Sequence, residues 1–325
     1  MDNRRRFLNS IRPLKIAATI FGVFPLKINI SNEKSVKISF FRIFYGVCFT
    51  LFMSGYVFFR FLLIKHYMLS LSESYLFKFS GVAYPALFFF NCMSYFGHVK
   101  SYSKLMEEIL KYSKILQNEK LFRKTFWITL GEVIFITLVL IAFNVSFYLA
   151  FPFFFYTFFD ILDKVNDVFV KLSIALINFQ YSNLLLFMYA MFAHINLKIG
   201  NLEKMRLFTP KFKNNFLNKS KIKVHPVLEL MKEQSDIKPL IVLYGEICES
   251  CKTLNSVFGG SATACAAYNL ITLVMQFYYI VRGQADIIMS LVLIGSLMLQ
   301  QWFLLFACEM VVQEVWIYGK QQANY

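Results

Sequence analysis

The sequence predicts an all-α, polytopic membrane protein with six transmembrane helices and its amino terminus inside, and three observations carry that reading. Of 325 residues, 58% are apolar, 18% aromatic and only 16% charged, with 39 Phe, which lies outside the usual range of soluble domains. Uncharged runs recur at about the length that crosses about 30 Å of hydrocarbon, and backbone polar groups in lipid need internal partners, so these runs must be helices. Lys and Arg gather in alternate connecting segments. Residues 1–38 hold eight, 99–126 seven and 197–240 ten, against two in 65–78, one in 152–166 and one in 281–286. Cytoplasmic segments carry the excess, which places the amino terminus inside and, with six spans, the carboxyl end inside too.

Residues 1–42 read as a cytoplasmic amino-terminal segment. Met1 to Arg6 is basic, but Arg12, Pro13 and Lys15 interrupt the apolar core that a signal peptide would need. Transmembrane helices one to four fall within 43–197. The first is Ile43 to Ile64, with Arg60 able to snorkel to the headgroups; the second is Phe79 to Gly97, with Pro85 a tolerated kink. The third is Val133 to Phe151 and the fourth Leu172 to Leu197.

Residues 198–252 form a cytoplasmic loop, rich in Lys and Asn around Lys211 to Lys223, and the start of a long fifth helix. Leu243, Ile247, Cys251 and Leu254 recur at helical spacing, which predicts a helical cytoplasmic platform over Leu240 to Ser256. Residues 253–308 hold helices five and six, the fifth within the uncharged run Thr253 to Val281 and the sixth at Ile287 to Cys308. Residues 309–325 are a cytoplasmic tail, because Glu309, Gln313 and Glu314 cannot sit in hydrocarbon without a large penalty. There Val311, Val312, Val315 and Trp316 are placed to meet a neighbour while Glu314 and Lys320 face water.

The net charge of +15 does not point to nucleic acid, since the basic residues are not interleaved with aromatics on one face. The six cysteines (Cys48, Cys92, Cys248, Cys251, Cys265, Cys308) are scattered and imply no disulfide framework. Asn-x-Ser sequons at Asn29, Asn144 and Asn218 fall on cytoplasmic or membrane-buried positions and should stay unmodified.

Gly22-Val23-Phe24-Pro25-Leu26, just before the first span, resembles the amino-terminal signature of insect gustatory receptors. Ala307-Cys308-Glu309-Met310-Val311-Val312-Gln313-Glu314-Val315 is similar to the segment that precedes their last helix. The resemblance implies a seven-helix, ligand-gated, poorly selective cation channel of the plasma membrane. It further implies a homo- or hetero-tetramer with other gustatory receptor subunits and a small-molecule tastant as ligand, with bitter plant compounds the suggested class. The family's Thr-Tyr-(five apolar)-Gln-Phe sequence, in the pore-lining seventh helix, is not met before Tyr325, so no pore residue carries over. Two alternatives follow: a non-conducting form that acts only by co-assembly with complete subunits, and an odorant receptor of the same superfamily. Asp-Arg-Tyr and Asn-Pro-x-x-Tyr are absent, which disfavours a G-protein-coupled receptor; no internal repeat suggests a transporter. No intramembrane constellation suggests an enzyme, a catalytic residue, a metal or a cofactor.

The resemblance places a ligand pocket in the outer halves of the second to sixth helices. Candidates by depth and polarity are Tyr84, Asn144, Tyr148, Asn178, Gln276, Tyr278 and Gln284, although membrane bundles use the same residue types as glue between helices. Asn144 and Asn178 stand out, because a buried amide needs a partner.

Asp160, Asp163 and Asp167 either ring a channel mouth or, more simply, make a solvated helix start. Glu132 is expected to reach the interface, and Cys248-x-x-Cys251 to be a structural pair. His98 and His194 are read at inner helix ends, and Phe151 to Phe159 as an outer aromatic belt. Gly259 and Gly260 either admit a close helix or hinge the fifth one.

Overall fold

Pro13 and Gly22 bracket the first structured feature of the chain. Helix α1 (Asn3–Ser10) is followed by α2 (Arg12–Ile20), where Pro13 occupies the first turn and leaves no orphan donor. Gly22, at φ +72°, ends α2: its N–H donates to the Thr19 carbonyl at 3.2 Å and that of Val23 to the Ala18 carbonyl at 2.8 Å. This double bond is a Schellman cap, which needs the left-handed conformation that glycine alone adopts without cost. The Gly-Val-Phe-Pro-Leu signature is therefore, in its first half, a helix stop.

Its second half opens a small hairpin. Strand β1 (Leu26–Ile28) pairs antiparallel with β2 (Val36–Ile38), Leu26 opposite Ile38 and Ile28 opposite Val36. The sequence reading had no strand here, because a three-residue strand carries too little periodicity to register. Leu26 and Val36 are buried, and β2 lies against the helix Val99–Ser113.

The computed structural model describes residues 3–28, 36–64, 86–114, 119–150, 158–216, 237–283 and 287–323; the side chains of 57, 60–64, 119–121, 140, 142–150, 158–165, 167, 201–216, 237–238, 288–289 and 320–323 lie outside that description. Its other helices are α3 (Phe40–Ile64), α4 (Ala86–Gly97), α5 (Val99–Ser113), α6 (Glu119–Ala150), α7 (Phe158–Phe216), α8 (Ile237–Val281) and α9 (Ile287–Ala323). Apolar stretches long enough to cross a membrane lie in Val168–Gly200, Pro239–Val281 and Ser290–Gly319; Phe40–Tyr56 and Ala86–Gly97 are shorter apolar helices. The chain is helical and membrane-spanning.

Helix α8 is unbroken over 45 residues, about 68 Å, so the helical spacing read from Leu240 onward is met. Gly259 and Gly260 do not interrupt it. A Cβ at Gly260 would stand 2.9 Å from the Ser94 hydroxyl, so this glycine admits α4. At the next residue, the Ser261 hydroxyl donates to the side-chain oxygen of Asn91, about one turn before Ser94 on α4.

The chain divides into two compact units. The first comprises Met1–Asn183 and Thr253–Phe306, the second Leu184–Lys252 and Ala307–Tyr325. The boundary at Asn183 falls inside the expected fourth span. The second unit has a core of its own, in which Met188, Met191, Phe192, Ile195 and Ile247 are fully buried.

In that second unit the tail differs from expectation. Glu314 is half-buried rather than open to water: Asn196 Nδ2 donates to its carboxylate at 2.7 Å and to its backbone carbonyl at 2.9 Å. Ala307, Val311 and Tyr318 are buried on the same face, with Tyr318 stacked on Tyr244. Trp316 and Val312 are 60% and 65% exposed instead. Residues 307, 311, 314 and 318 share one side of a helix, and an acid there is held by an amide rather than by solvent.

Candidate functional site

A polar stripe runs along the buried face of α8. Ser261, Cys265, Asn269 and Thr272 are each under 4% exposed, with Gln276 continuing the same face half-buried. Spacings of three and four put all five on one side, over about 22 Å of helix. Inside an otherwise apolar unit such a row is costly unless every group has a partner.

At Cys265 the partners are amides from three helices. Asn178 Nδ2 of α7 lies 2.6 Å from the thiol sulfur, Asn269 Nδ2 of α8 3.7 Å and Gln301 Nε2 of α9 3.9 Å. The cluster joins α7, α8 and α9 within the first unit. It is uncharged, so it suits neutral hydrogen-bonding groups rather than ions.

Toward the end of α8, on the side turned away from the stripe, Tyr278 has a buried hydroxyl with no hydrogen-bond partner among the described residues. Its ring lies edge-on to Tyr279, and the Arg282 guanidinium sits 5.6 Å over its face. An unmet buried hydroxyl is a point at which a ligand atom can hydrogen-bond.

A second buried knot is centred on Gln180. Its Oε1 accepts from the Tyr95 hydroxyl at 3.1 Å and the Tyr102 hydroxyl at 3.2 Å, while Nε2 donates to the Val23 carbonyl at 3.1 Å. Phe24 packs edge-on to Tyr102, and Phe258 stacks on Tyr181 and touches both other tyrosines. One glutamine therefore ties the amino-terminal signature to α4, α5 and α7.

A family model described as 7tm Chemosensory receptor matches residues 11–321. The chain belongs to that family. Neither a curated protein nor a solved structure matches it. A chemosensory receptor takes small-molecule ligands in a membrane setting and is not an enzyme.

Of the seven ligand-binding candidates, the structure brings Asn178 into this receptor's amide cluster and sets Gln276 on the α8 stripe, while Tyr278 lies on another side of the same helix. Asn178 is separated from Tyr278 by the thirteen residues that run from Cys265 to Tyr278, about 20 Å of helix. Tyr84 and Gln284 lie outside the described residues, as do the side chains of Asn144 and Tyr148. Asn269 and Gln301 were missed. Their signal was available: Asn269 follows Cys265 by four residues, and Gln301 is an amide in an uncharged helix.

Glu132 does not reach the interface. Its Oε2 accepts from Asn183 Nδ2 at 2.7 Å, and its Oε1 is buried without a partner. The fractional exposure of the whole residue is intermediate, because its stem is partly open while the carboxyl is not. Asn183 was overlooked because the run around it, Leu184 to Met188, is apolar.

His98 Nδ1 meets the Ser94 carbonyl at 2.8 Å, while His194 Nε2 is buried without a partner among the described residues. Among the described residues no group of three or more potential ligands could hold a metal ion. Asp160 and Asp163 lie on α7, with their side chains outside the description.

Cys248 and Cys251 lie on α8 before Lys252, which pairs with Glu249 at 2.7 Å in full exposure and keeps this stretch out of hydrocarbon. Burial pushes both thiols up, Cys251 to about 12. Each remains a thiol at neutral pH, and the thiolate is the reactive form. In the folded receptor at neutral pH, maleimide should label Cys251 at least tenfold more slowly than a free thiol, with the rate rising as pH approaches 10; rapid labelling at pH 7 would refute this.

Proposed function

We propose that the chain is a subunit of a ligand-gated, non-selective cation channel of the gustatory type. The proposal includes six transmembrane helices with the amino terminus inside, plasma-membrane placement, assembly as a homo- or hetero-tetramer and a small, possibly bitter, tastant as ligand. The buried Tyr278 hydroxyl marks the ligand site in this reading. The observation that carries it is that this hydroxyl is left without a partner among the described residues. Membership of a chemosensory family supplies the ligand class.

Tyr278→Phe separates ligand recognition from stability. An unmet buried hydroxyl costs about 1–3 kcal/mol, so its removal should leave thermal stability unchanged or raised. The response to an active tastant should nevertheless shift to roughly tenfold higher concentration, the value of one lost hydrogen bond in a desolvated site. Calcium imaging of cells exposed to a panel of plant-derived small molecules, paired with unfolding of the purified variant, checks both. Unchanged sensitivity removes Tyr278 from the site. No cation current from the chain with any ligand or full-length relative overturns the channel reading itself.

A further inference from the structure

The amino-terminal segment carries a group of cations that ligand recognition leaves unused. Arg12 and Lys15 sit on α2, and Arg42 sits in the first turn of α3, where its guanidinium donates to the Leu26 carbonyl. Lys15 lies within electrostatic reach of both arginines: burial first, then the charges of Arg42 and Arg12, holds its ammonium below the usual range. On the hairpin, Lys27 stands directly opposite Lys37 with both exposed, a like-charge cross-strand pair that costs stability in water. Among the described residues no carboxylate pairs with any of these five cations. Concentrated positive charge of this kind is an anion site in want of an anion.

Apolar groups interleave with it. Ile16 and Ile20 of α2 are 48% and 58% exposed, and Phe40, Phe41 and Phe44 at the head of α3 are 82%, 78% and 59% exposed. Lys15 adjoins Ile16 in the chain, and Arg42 lies between Phe41 and Phe44. A soluble phosphate would have no use for five exposed apolar side chains, whereas a lipid uses both kinds of surface.

We propose that Arg12, Lys15 and Arg42 hold the headgroup phosphate of an anionic phospholipid in the leaflet where α3 meets the membrane, with Ile16, Ile20 and the α3 phenylalanines against its acyl chains. The guanidinium forks of Arg12 and Arg42 suit a phosphodiester, and one anion offsets the repulsion among three cations. Lys27 and Lys37 extend the positive surface for the remainder of the headgroup. The site requires only that α3 crosses the bilayer, so it stands or falls independently of the tastant site.

The test uses the full chain in phosphatidylcholine bilayers with trace spin-labelled phosphatidylserine or phosphatidylcholine. The unmodified protein should immobilise the serine lipid preferentially. Arg12→Gln with Lys15→Gln should lower that preference by about 25-fold, given roughly fivefold for each of two basic residues near an anionic surface. Both side chains project from α2, and Arg42, which holds the hairpin, is left in place, so the fold survives. Lys27→Gln with Lys37→Gln relieves a repulsion and should give a smaller loss; Arg12→Lys with Lys15→Arg should retain the preference. Equal retention of the two lipids by the unmodified protein, or full preference in the first glutamine variant, overturns the proposal. So does displacement of the labelled lipid by inorganic phosphate but not by chloride at equal ionic strength, which would assign the site to a soluble anion.

Discussion

Gly46→Ala should destabilise the folded chain by about 3 kcal/mol, the upper end of what overpacking costs. A Cβ at this position of α3 would run into the Gly22 carbonyl oxygen and the Phe96 ring. The side chain could rotate away, but the carbonyl could not. It belongs to the cap of α2, where Gly22 is fixed at φ +72° by two backbone hydrogen bonds. From the other side, a Cβ at Gly22 would stand 3.0 Å from the Gly46 Cα, so two glycines share one backbone crossing.

Trimming Phe96 should therefore not rescue the variant, which separates a backbone clash from a side-chain one. Gly55→Ala, on the same helix with open space around its Cβ, should be neutral or stabilising by about 0.5–1 kcal/mol. The buried thiols Cys92 and Cys265 provide the assay, since a thiol-reactive dye reaches them only on unfolding. An alanine variant at Gly46 that melts with the unmodified protein would show that α2 and α3 do not cross there.

The sequence made the helices legible because uncharged runs in a chain of this composition have few alternatives. The spacing of Leu243, Ile247, Cys251 and Leu254 likewise disclosed that α8 begins far before its uncharged part. Hydropathy could not say what an apolar run is buried against. Leu184 to Leu197 reads as membrane span, yet Met188, Phe192 and Ile195 form the core of the second unit, and lipid and protein interior are equally apolar. Polar partners were harder still, because pairs such as Asn196 with Glu314 or Asn183 with Glu132 are separated by 118 and 51 residues. Asn178 was legible as a residue needing a partner; that its partner is the Cys265 sulfur was not. The hairpin at Leu26 and Val36 left no trace in periodicity, and the Schellman cap at Gly22 was visible only as a signature without a mechanism.

That signature gains its mechanism at Gln180, and Gln180→Leu should cost about 3 kcal/mol. Leucine fills similar space but leaves the Tyr95 and Tyr102 hydroxyls and the Val23 carbonyl without their shared partner, all of them under 3% exposed. Each such loss is worth about 1–3 kcal/mol, and the two adjacent tyrosine hydroxyls, freed from their shared acceptor, recover part of it by bonding to one another. The cost should depend on the tyrosines. In a background with Tyr95→Phe and Tyr102→Phe, two of the stranded groups no longer exist, so Gln180→Leu should cost only about 1 kcal/mol, the share of Val23.

Additive costs across that cycle would mean that the three side chains do not form one network. A coupled result would mean that the segment after α2 is held by α7 through a single amide. Val23 is then the point at which a shift of α4, α5 or α7 is felt by the amino-terminal segment, since Gln180 cannot follow one partner without releasing another.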